Sequence, residues 1–179
     1  VQFTKINDCY FTRTQASVIT SMIFIGTLIG SPAIGWFSDK IKNRKLPIFL
    51  GSFLALIIVS IIIYAPHLSY TFNIILFLLL GFVTSGGIIN YSFVAEKNIP
   101  TLTATSVSVV SMCVIGGGAV FQPVVGWLLD SGWDGTKINH VPFYSLQDYH
   151  HAFLVMPIAF VISMVLVFFM KESHAKQTK

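Results

Sequence analysis

The residues best placed for chemistry form a charged hinge between two long uncharged stretches. Residues 35–45 read GWFSDKIKNRK, which has the form G-x-x-x-D-[RK]-x-x-x-R-[RK]. One carboxylate beside several bases predicts ion pairing, because opposite charges attract strongly at short range. An ordinary basic hinge that only sets membrane orientation is the simpler interpretation. The positions of the motif are Gly35, Asp39, Lys40, Arg44 and Lys45.

A second group of candidates consists of neutral polar side chains inside the uncharged stretches. A buried amide costs free energy unless it is hydrogen-bonded, so Gln122 either contacts a ligand or ties two helices together. Asn90 has the same two interpretations, with more weight on the structural one. Ser111 shares a stripe with Gln122 at helical spacing. The candidates for substrate binding are Gln122, Asn90, Thr84, Ser85 and Ser111.

Motifs for catalysis and metal binding are absent from the sequence. It contains no G-x-S-x-G, H-E-x-x-H or phosphate loop, and no convincing pair of acids. His150 and His151 are adjacent, so they point apart on a helix and are interpreted as interfacial side chains. Cys9 and Cys113 have no metal-binding spacing. We therefore predict no metal, no cofactor and no enzymatic activity.

The elements that hold these residues are long stretches without ionisable side chains. A helix needs about 20 apolar residues to cross the hydrocarbon core of a membrane. The charged and turn-rich segments between the stretches divide the chain into five predicted spans: residues 14–38, 47–64, 70–94, 102–129 and 149–170. These runs are apolar on every side, which excludes the alternating strands of a membrane barrel. The prediction is one membrane domain over residues 1–179.

The composition supports a protein surrounded by lipid. Hydrophobic residues make up 54% of the chain and charged residues only 10%, whereas a soluble domain has about 25% charged residues. The basic residues lie in short stretches and form no continuous stripe, which argues against nucleic acid as a partner. We predict an all-α integral membrane bundle whose partner is the lipid bilayer.

Orientation follows from the positions of lysine and arginine, which are more frequent in cytoplasmic loops. One side of the predicted topology holds eight of these residues, Lys40, Lys42, Arg44, Lys45, Lys97, Lys171, Lys176 and Lys179; the other holds three, Lys5, Arg13 and Lys137. The hinge and the C-terminus are therefore predicted to be cytoplasmic. Trp133, Tyr144 and Tyr149 are then expected at the outer interface.

The motif at residues 35–45, placed between two spans, resembles the signature loop of the major facilitator superfamily. In that family the loop lies between helices two and three and, in weaker form, between helices eight and nine. Lys42 stands where the stronger copy usually carries glycine, which favours the second copy. The resemblance thus implies that the spans are helices 8–12 of a twelve-helix fold, and that the N-terminal half of the polypeptide is missing from this chain.

The residues around the fourth loop resemble a narrower group. Residues 116–130, with Trp133-Asp134-Gly135 and residues 149–153, are similar to the phagosomal metabolite transporters of intracellular Gammaproteobacteria, which are associated with amino acids or nucleosides. The family resemblance implies a secondary transporter of the inner membrane that moves a small polar metabolite by alternating access. It also implies that Gly35 permits close helix approach and that the charged hinge forms a cytoplasmic gate.

Three questions stay open at this stage. No predicted span contains a charged residue, so the carboxylate expected of a symporter lies either in the missing helices or nowhere, as in a uniporter. A non-transporting membrane subunit or a membrane-embedded assembly protein is the alternative function. Gly26 and Gly30 form a GxxxG motif, which indicates either generic helix packing or a specific interface. The resemblance implies that this helix packs against one in the missing half, outside this chain.

Overall fold

The computed structural model describes residues 11–65, 68–135, 137–138 and 141–172. The fold is all-helical, apart from one pair of two-residue strands, and it contains five helices that are long and apolar enough to cross a membrane. In chain order the first elements are α1 Arg13–Ile41, α2 Lys45–Tyr64, α3 Tyr70–Thr84, a 3₁₀ turn Ser85–Ile88 and α4 Ile89–Lys97. They are followed by a 3₁₀ turn Pro100–Leu102, α5 Thr103–Gly132, β1 Lys137–Ile138, β2 Val141–Pro142, α6 Leu146–Phe153 and α7 Val155–Phe169.

The helices begin and end within a few residues of the predicted spans. Two of them nevertheless differ from the prediction. The third, predicted as one stretch over residues 70–94, is divided by the 3₁₀ turn Ser85–Ile88. The fifth begins at Leu146, three residues before the predicted start, because Ser145 caps it. The Ser145 hydroxyl accepts a hydrogen bond from the Asp148 N–H while the Asp148 carboxylate accepts one from the Ser145 N–H.

Glycines allow α1 and α3 to pack with their backbones in close contact. A Cβ atom on Gly26 would lie 2.0 Å from the Leu78 carbonyl oxygen, and one on Gly81 would lie 2.1 Å from the Ile23 carbonyl oxygen. No larger residue fits at either position. The GxxxG motif therefore forms a specific interface inside this chain. The expectation that its partner lies in the missing half was wrong, because α3 already occupies that face of α1.

The core lies where α2 meets α3 and α7. Ala55 and Ile58 of α2 pack with Leu76 and Val83 of α3, and Phe160 of α7 packs against this cluster. Ser52 and Ser163 join α2 to α7 through a hydroxyl–hydroxyl hydrogen bond of 3.0 Å. These three helices therefore form the most buried part of the described chain.

In contrast, α5 lies at the edge of the bundle. None of its residues is buried in the described chain, and a Cβ atom on Gly116, Gly117 or Gly118 would meet nothing within 4 Å. The helix touches the remaining elements mainly through α4 at one end and α6 at the other. One long face of α5 is thus without a protein neighbour among the described residues.

Aromatic side chains gather at the end of the bundle opposite the charged hinge. The ring of Tyr144 lies 6.5 Å from that of Trp133 and 6.1 Å from that of Tyr149. The Tyr144 hydroxyl donates a hydrogen bond of 2.6 Å to the Asp130 carboxylate, which raises the pKa of Tyr144. The three aromatic residues predicted at one interface therefore do lie together, next to the end of α5.

Candidate functional site

The charged hinge begins where α1 ends at a left-handed residue. Lys42 has φ 50° and ψ 36°, and its N–H donates to the Asp39 carbonyl at 3.3 Å. It is the only residue other than glycine with positive φ in the described chain. Glycine adopts this conformation without steric cost. The geometry explains why a glycine would suit the motif position that Lys42 occupies.

Arg44 lies at the centre of the hinge and is 5% exposed. One terminal nitrogen of its guanidinium donates to the Asp39 carboxylate at 2.6 Å and to the Ser38 hydroxyl at 3.0 Å. The other terminal nitrogen pairs with Glu96, and Nε donates to the same carboxylate at 3.3 Å. The ion pairs join the α1–α2 hinge to the end of α4.

The two carboxylates differ in how strongly they hold Arg44. The Asp39 side chain is 66% exposed, whereas that of Glu96 is 15% exposed. Exposed ion pairs contribute about 0–1 kcal/mol because water screens them. Removing one partner of a buried pair costs about 3–5 kcal/mol because it leaves a charge unpaired. Glu96 is thus the stronger partner, and its hydrogen bond is the main reason that the pKa of Arg44 is raised.

A third carboxylate approaches from the chain that follows α7. The two oxygens of Glu172 accept hydrogen bonds from the backbone N–H groups of Arg44, at 2.9 Å, and Lys45, at 3.0 Å. The Glu172 carbonyl accepts a hydrogen bond of 3.0 Å from the Lys97 ammonium. We call Asp39, Arg44, Glu96, Lys97 and Glu172 the hinge network.

The other motif residues lie outside the hinge network's ion pairs. The Lys40 ammonium lies over the Trp36 ring, 4.9 Å from its centroid. The Lys45 ammonium donates to the Phe168 carbonyl at 3.5 Å. Apart from its chain neighbours and the nearby backbone of its own helix, no described residue comes within 4 Å of a Cβ atom built on Gly35. The close helix approach expected at Gly35 is therefore not made within the described part of the chain.

Two neighbouring cavities contain three of the predicted binding residues. The larger one, the glutamine cavity, has a volume of about 570 Å³ and lies among α1, α2, α3, α5 and α7. Its polar side chains are Gln122 and Thr84, and aromatic and aliphatic residues such as Phe121, Met156 and Phe160 form the remaining wall. Pockets of about 300–1,000 Å³ with mostly apolar walls and a few polar groups are typical of small-molecule sites.

The second, the asparagine cavity, has a volume of about 250 Å³ and lies beside the 3₁₀ turn. Asn90, Thr84, Ser52 and Ser163 supply its polar groups. It shares Thr84, Ala159 and Phe160 with the glutamine cavity. The Thr84 hydroxyl donates to the Leu80 carbonyl at 2.7 Å, so its oxygen remains able to accept a hydrogen bond from a ligand.

Ser85 and Ser111 lie elsewhere. Ser85 is 5% exposed, its hydroxyl donates to the Phe82 carbonyl at 2.6 Å, and it faces α1, where a Cβ atom on Gly30 would lie 2.5 Å from its oxygen. The Ser111 hydroxyl donates to the Val107 carbonyl of its own helix at 3.2 Å. The structure brings Gln122, Thr84 and Asn90 together and leaves these two serines apart from both cavities.

Sequence reasoning missed Glu96 and Glu172 as partners of Arg44, and Ser52 and Ser163 as polar groups of a cavity. Glu96 carried a signal, since it is an acid at the end of an uncharged stretch. Glu172 is 128 positions from Arg44, so no local pattern links them. Ser52 and Ser163 are single serines in apolar helices, where this residue type is common at helix contacts.

Comparison with known families decides the assignment of the fold. Residues 5–179 match the family model described as Major Facilitator Superfamily. The chain belongs to this superfamily. It is therefore a multi-pass membrane protein and, in general terms, a secondary transporter. Searches of curated proteins and of solved structures give no match.

Proposed function

We propose that this member of the superfamily moves a small polar metabolite by alternating access, in which two helical bundles rock about a binding site near mid-membrane. The observation that carries the proposal is the common wall of the two cavities. Thr84 contributes to both, Gln122 to one and Asn90 to the other, and all the polar side chains are neutral. Such groups suit a solute with hydroxyl or amide functions.

The hinge network acts as the gate at the cytoplasmic end. It joins the α1–α2 hinge, the end of α4 and the chain after α7. Ion pairs between elements stabilise one arrangement of helices and must separate or rearrange when those helices move. The excess of lysine and arginine in these segments supports placing them in the cytoplasm. The proposed location is the inner membrane.

The partner of the bundle is the N-terminal half of the same polypeptide. A Cβ atom on Gly116, Gly117 or Gly118 of α5 would meet nothing within 4 Å, so this stretch of the helix has no close neighbour among the described residues. Glycines on a membrane helix permit close packing of a second helix. In a symport mechanism the coupling carboxylate belongs to that half, because the polar side chains of the two cavities are all neutral.

Substitution of Gln122 tests the proposed substrate site. Uptake of radiolabelled amino acids and nucleosides, the solutes suggested by the resemblance to phagosomal transporters, is measured in proteoliposomes containing the full-length protein. Gln122→Ala is expected to raise the half-saturation constant of the transported solute about twofold to tenfold, because one hydrogen bond contributes about 0.5–1.5 kcal/mol. An unchanged constant in folded protein would remove Gln122 from the site.

Ser111→Ala is the matched control on the same helix. Its hydroxyl bonds only to the Val107 carbonyl in the described chain, so the half-saturation constant should stay as in the unsubstituted protein. Thermal unfolding of each preparation in detergent separates binding from folding. If Gln122→Ala lowers the unfolding temperature without changing affinity, the residue connects helices and does not bind solute.

A further inference from the structure

A third cavity lies beside the asparagine cavity, closer to the hinge end of the bundle. It has a volume of about 420 Å³ and lies between α4 and α5, with Met170, which follows α7, in its wall. The wall is mostly apolar, and the exceptions are Asn90 and Cys113. We call this space the cysteine cavity. Val94 in its wall is three residues from the end of α4, so the cavity lies next to the hinge end.

The three cavities adjoin one another in series, because neighbouring cavities have wall residues in common. The glutamine and asparagine cavities share three residues, and Asn90 lines both the asparagine and the cysteine cavity. Gln122 and Cys113 are nine residues apart on α5, which is about 14 Å along the helix axis. The series therefore spans almost half of a hydrocarbon core about 30 Å thick, and it runs from Gln122 toward the hinge end.

Asn90 lies at the junction of two cavities, and its amide has no hydrogen-bond partner among the described residues. The other polar groups of the asparagine cavity do have partners. The hydroxyls of Ser52 and Ser163 bond to each other at 3.0 Å, and the Thr84 hydroxyl donates to a carbonyl of its own helix. An amide inside a membrane helix costs free energy unless it finds a partner. A neutral amide both donates and accepts, so it suits a polar solute that passes between the two cavities.

We propose that solute bound in the glutamine cavity leaves through the asparagine and cysteine cavities, and that Asn90 binds it at the passage between the two. This inference rests on the proposed function, which places the solute at Gln122. Asn90 then governs the rate of passage and not the affinity of first binding. The wall beyond Asn90 is mostly apolar and holds a polar solute weakly, so the solute is released at the hinge end.

Access from the hinge end tests this route without knowledge of the solute. Gly87 lines the asparagine cavity, and a Cβ atom there would meet nothing within 4 Å, so Gly87→Cys fits. In the full-length protein, with the native cysteines replaced by serine, the rate at which an impermeant methanethiosulfonate labels this cysteine is measured in inside-out vesicles. Cys113→Trp is expected to slow the labelling about fivefold or more, because the large indole ring fills the cysteine cavity.

Met112→Trp is the matched control. Met112 precedes Cys113, is 72% exposed and lines none of the three cavities, so the same ring there should leave the labelling rate unchanged. Thr101→Cys, an exposed site at the hinge end, shows in the same vesicles that the reagent reaches this face. Thermal unfolding in detergent establishes that the variants are folded. If Cys113→Trp does not fold, the smaller Cys113→Phe takes its place, with Met112→Phe as its control.

Transport kinetics test the amide of Asn90. Leucine has a similar volume but no hydrogen-bonding group. In the proteoliposome assay with amino acids and nucleosides, Asn90→Leu is expected to lower the maximal rate about twofold to tenfold, as loss of one hydrogen bond would. The half-saturation constant should stay as in the unsubstituted protein. Asn90→Gln, which keeps the amide, should restore most of the maximal rate.

The two measurements together decide the proposal. It is supported when Cys113→Trp slows the labelling, Met112→Trp does not, and Asn90→Leu lowers only the maximal rate. It is overturned when the two tryptophan variants are labelled at equal rates, or when Asn90→Leu raises the half-saturation constant or leaves transport unchanged. Gln122→Ala reports on the proposed function instead, through the half-saturation constant. If none of the solutes is taken up, the proposed function fails for them, while the labelling rates still decide the route.

Discussion

At the residue scale, the hinge combines one strained backbone position with one buried cation. Lys42 ends α1 in the left-handed conformation, and the chain then turns so that Arg44 lies beneath the side chains of Asp39 and Glu96. A residue with a Cβ atom costs about 1–2 kcal/mol in this conformation. The turn that positions Arg44 therefore lowers the stability of the folded protein.

Replacing Lys42 by glycine should release that strain. Glycine loses about 0.5–1 kcal/mol through the larger entropy of the unfolded chain, so the net gain is expected to be a few tenths to about 1 kcal/mol. Lys42→Gly should raise the thermal unfolding temperature of the full-length protein in detergent. Lys40→Gly is the control, because it removes the same charge from the helical last turn of α1 and should cost about 1 kcal/mol. If the unfolding temperatures of both variants shift in the same direction, the loss of charge and not the release of strain explains the effect.

The sequence predicted part of this network. Asp39 and Arg44 are five positions apart in a recognisable motif, and the structure places them in contact. Lys40 and Lys45 belong to the same motif but contact Trp36 and the Phe168 carbonyl instead. Spacing does not determine which of several neighbouring bases takes the buried position. That choice depends on where α1 ends, and so on the conformation of Lys42.

At the element scale, close contact between backbones holds α1 against α3. The absence of charge over long stretches was enough to predict the helices, but apolar residues on every side do not tell which face packs against which neighbour. Gly26 and Gly30 identified one packing face correctly, and Gly81 on the facing helix gave no separate signal. The 3₁₀ turn at Ser85–Ile88 was also missed, since a pair of glycines is compatible with continuous helix in a membrane.

Gly81→Ala should separate these two helices. The added methyl group would lie 2.1 Å from the Ile23 carbonyl oxygen, where the neighbour is backbone and cannot rotate away. Overpacking of this kind costs about 1–3 kcal/mol or more, so the unfolding temperature in detergent should fall. Gly87→Ala, three residues past the end of α3, meets nothing within 4 Å and should unfold as the unsubstituted protein does. Equal losses in the two variants would contradict the proposed role of the contact.

At the scale of the whole molecule, the described bundle is compact on one side and open on the other. Every buried residue of the two hydrophobic clusters belongs to α2, α3 or α7, except Ile89 of α4. Along α5, by contrast, no residue is buried. The class of fold was predictable from composition and span length. The position of α5 relative to the other helices was not, because its contacts are mainly with the neighbouring α4 and α6.

Sidedness is the property of the whole molecule that the sequence predicts most directly. The predicted topology assigns eight lysine and arginine residues to the hinge side and three to the other side, and positive residues are more frequent in cytoplasmic loops. Thr101 follows α4 at the hinge end and Asp134 follows α5 at the aromatic end; both are exposed. In a cysteine-free full-length protein, an impermeant maleimide added outside intact cells should label Asp134→Cys and leave Thr101→Cys unlabelled. Disrupting the cells should then expose Thr101→Cys, which confirms that its thiol is reactive. Labelling of Thr101→Cys alone in intact cells would invert the topology and move the hinge network to the outer face, where it could not serve as a cytoplasmic gate.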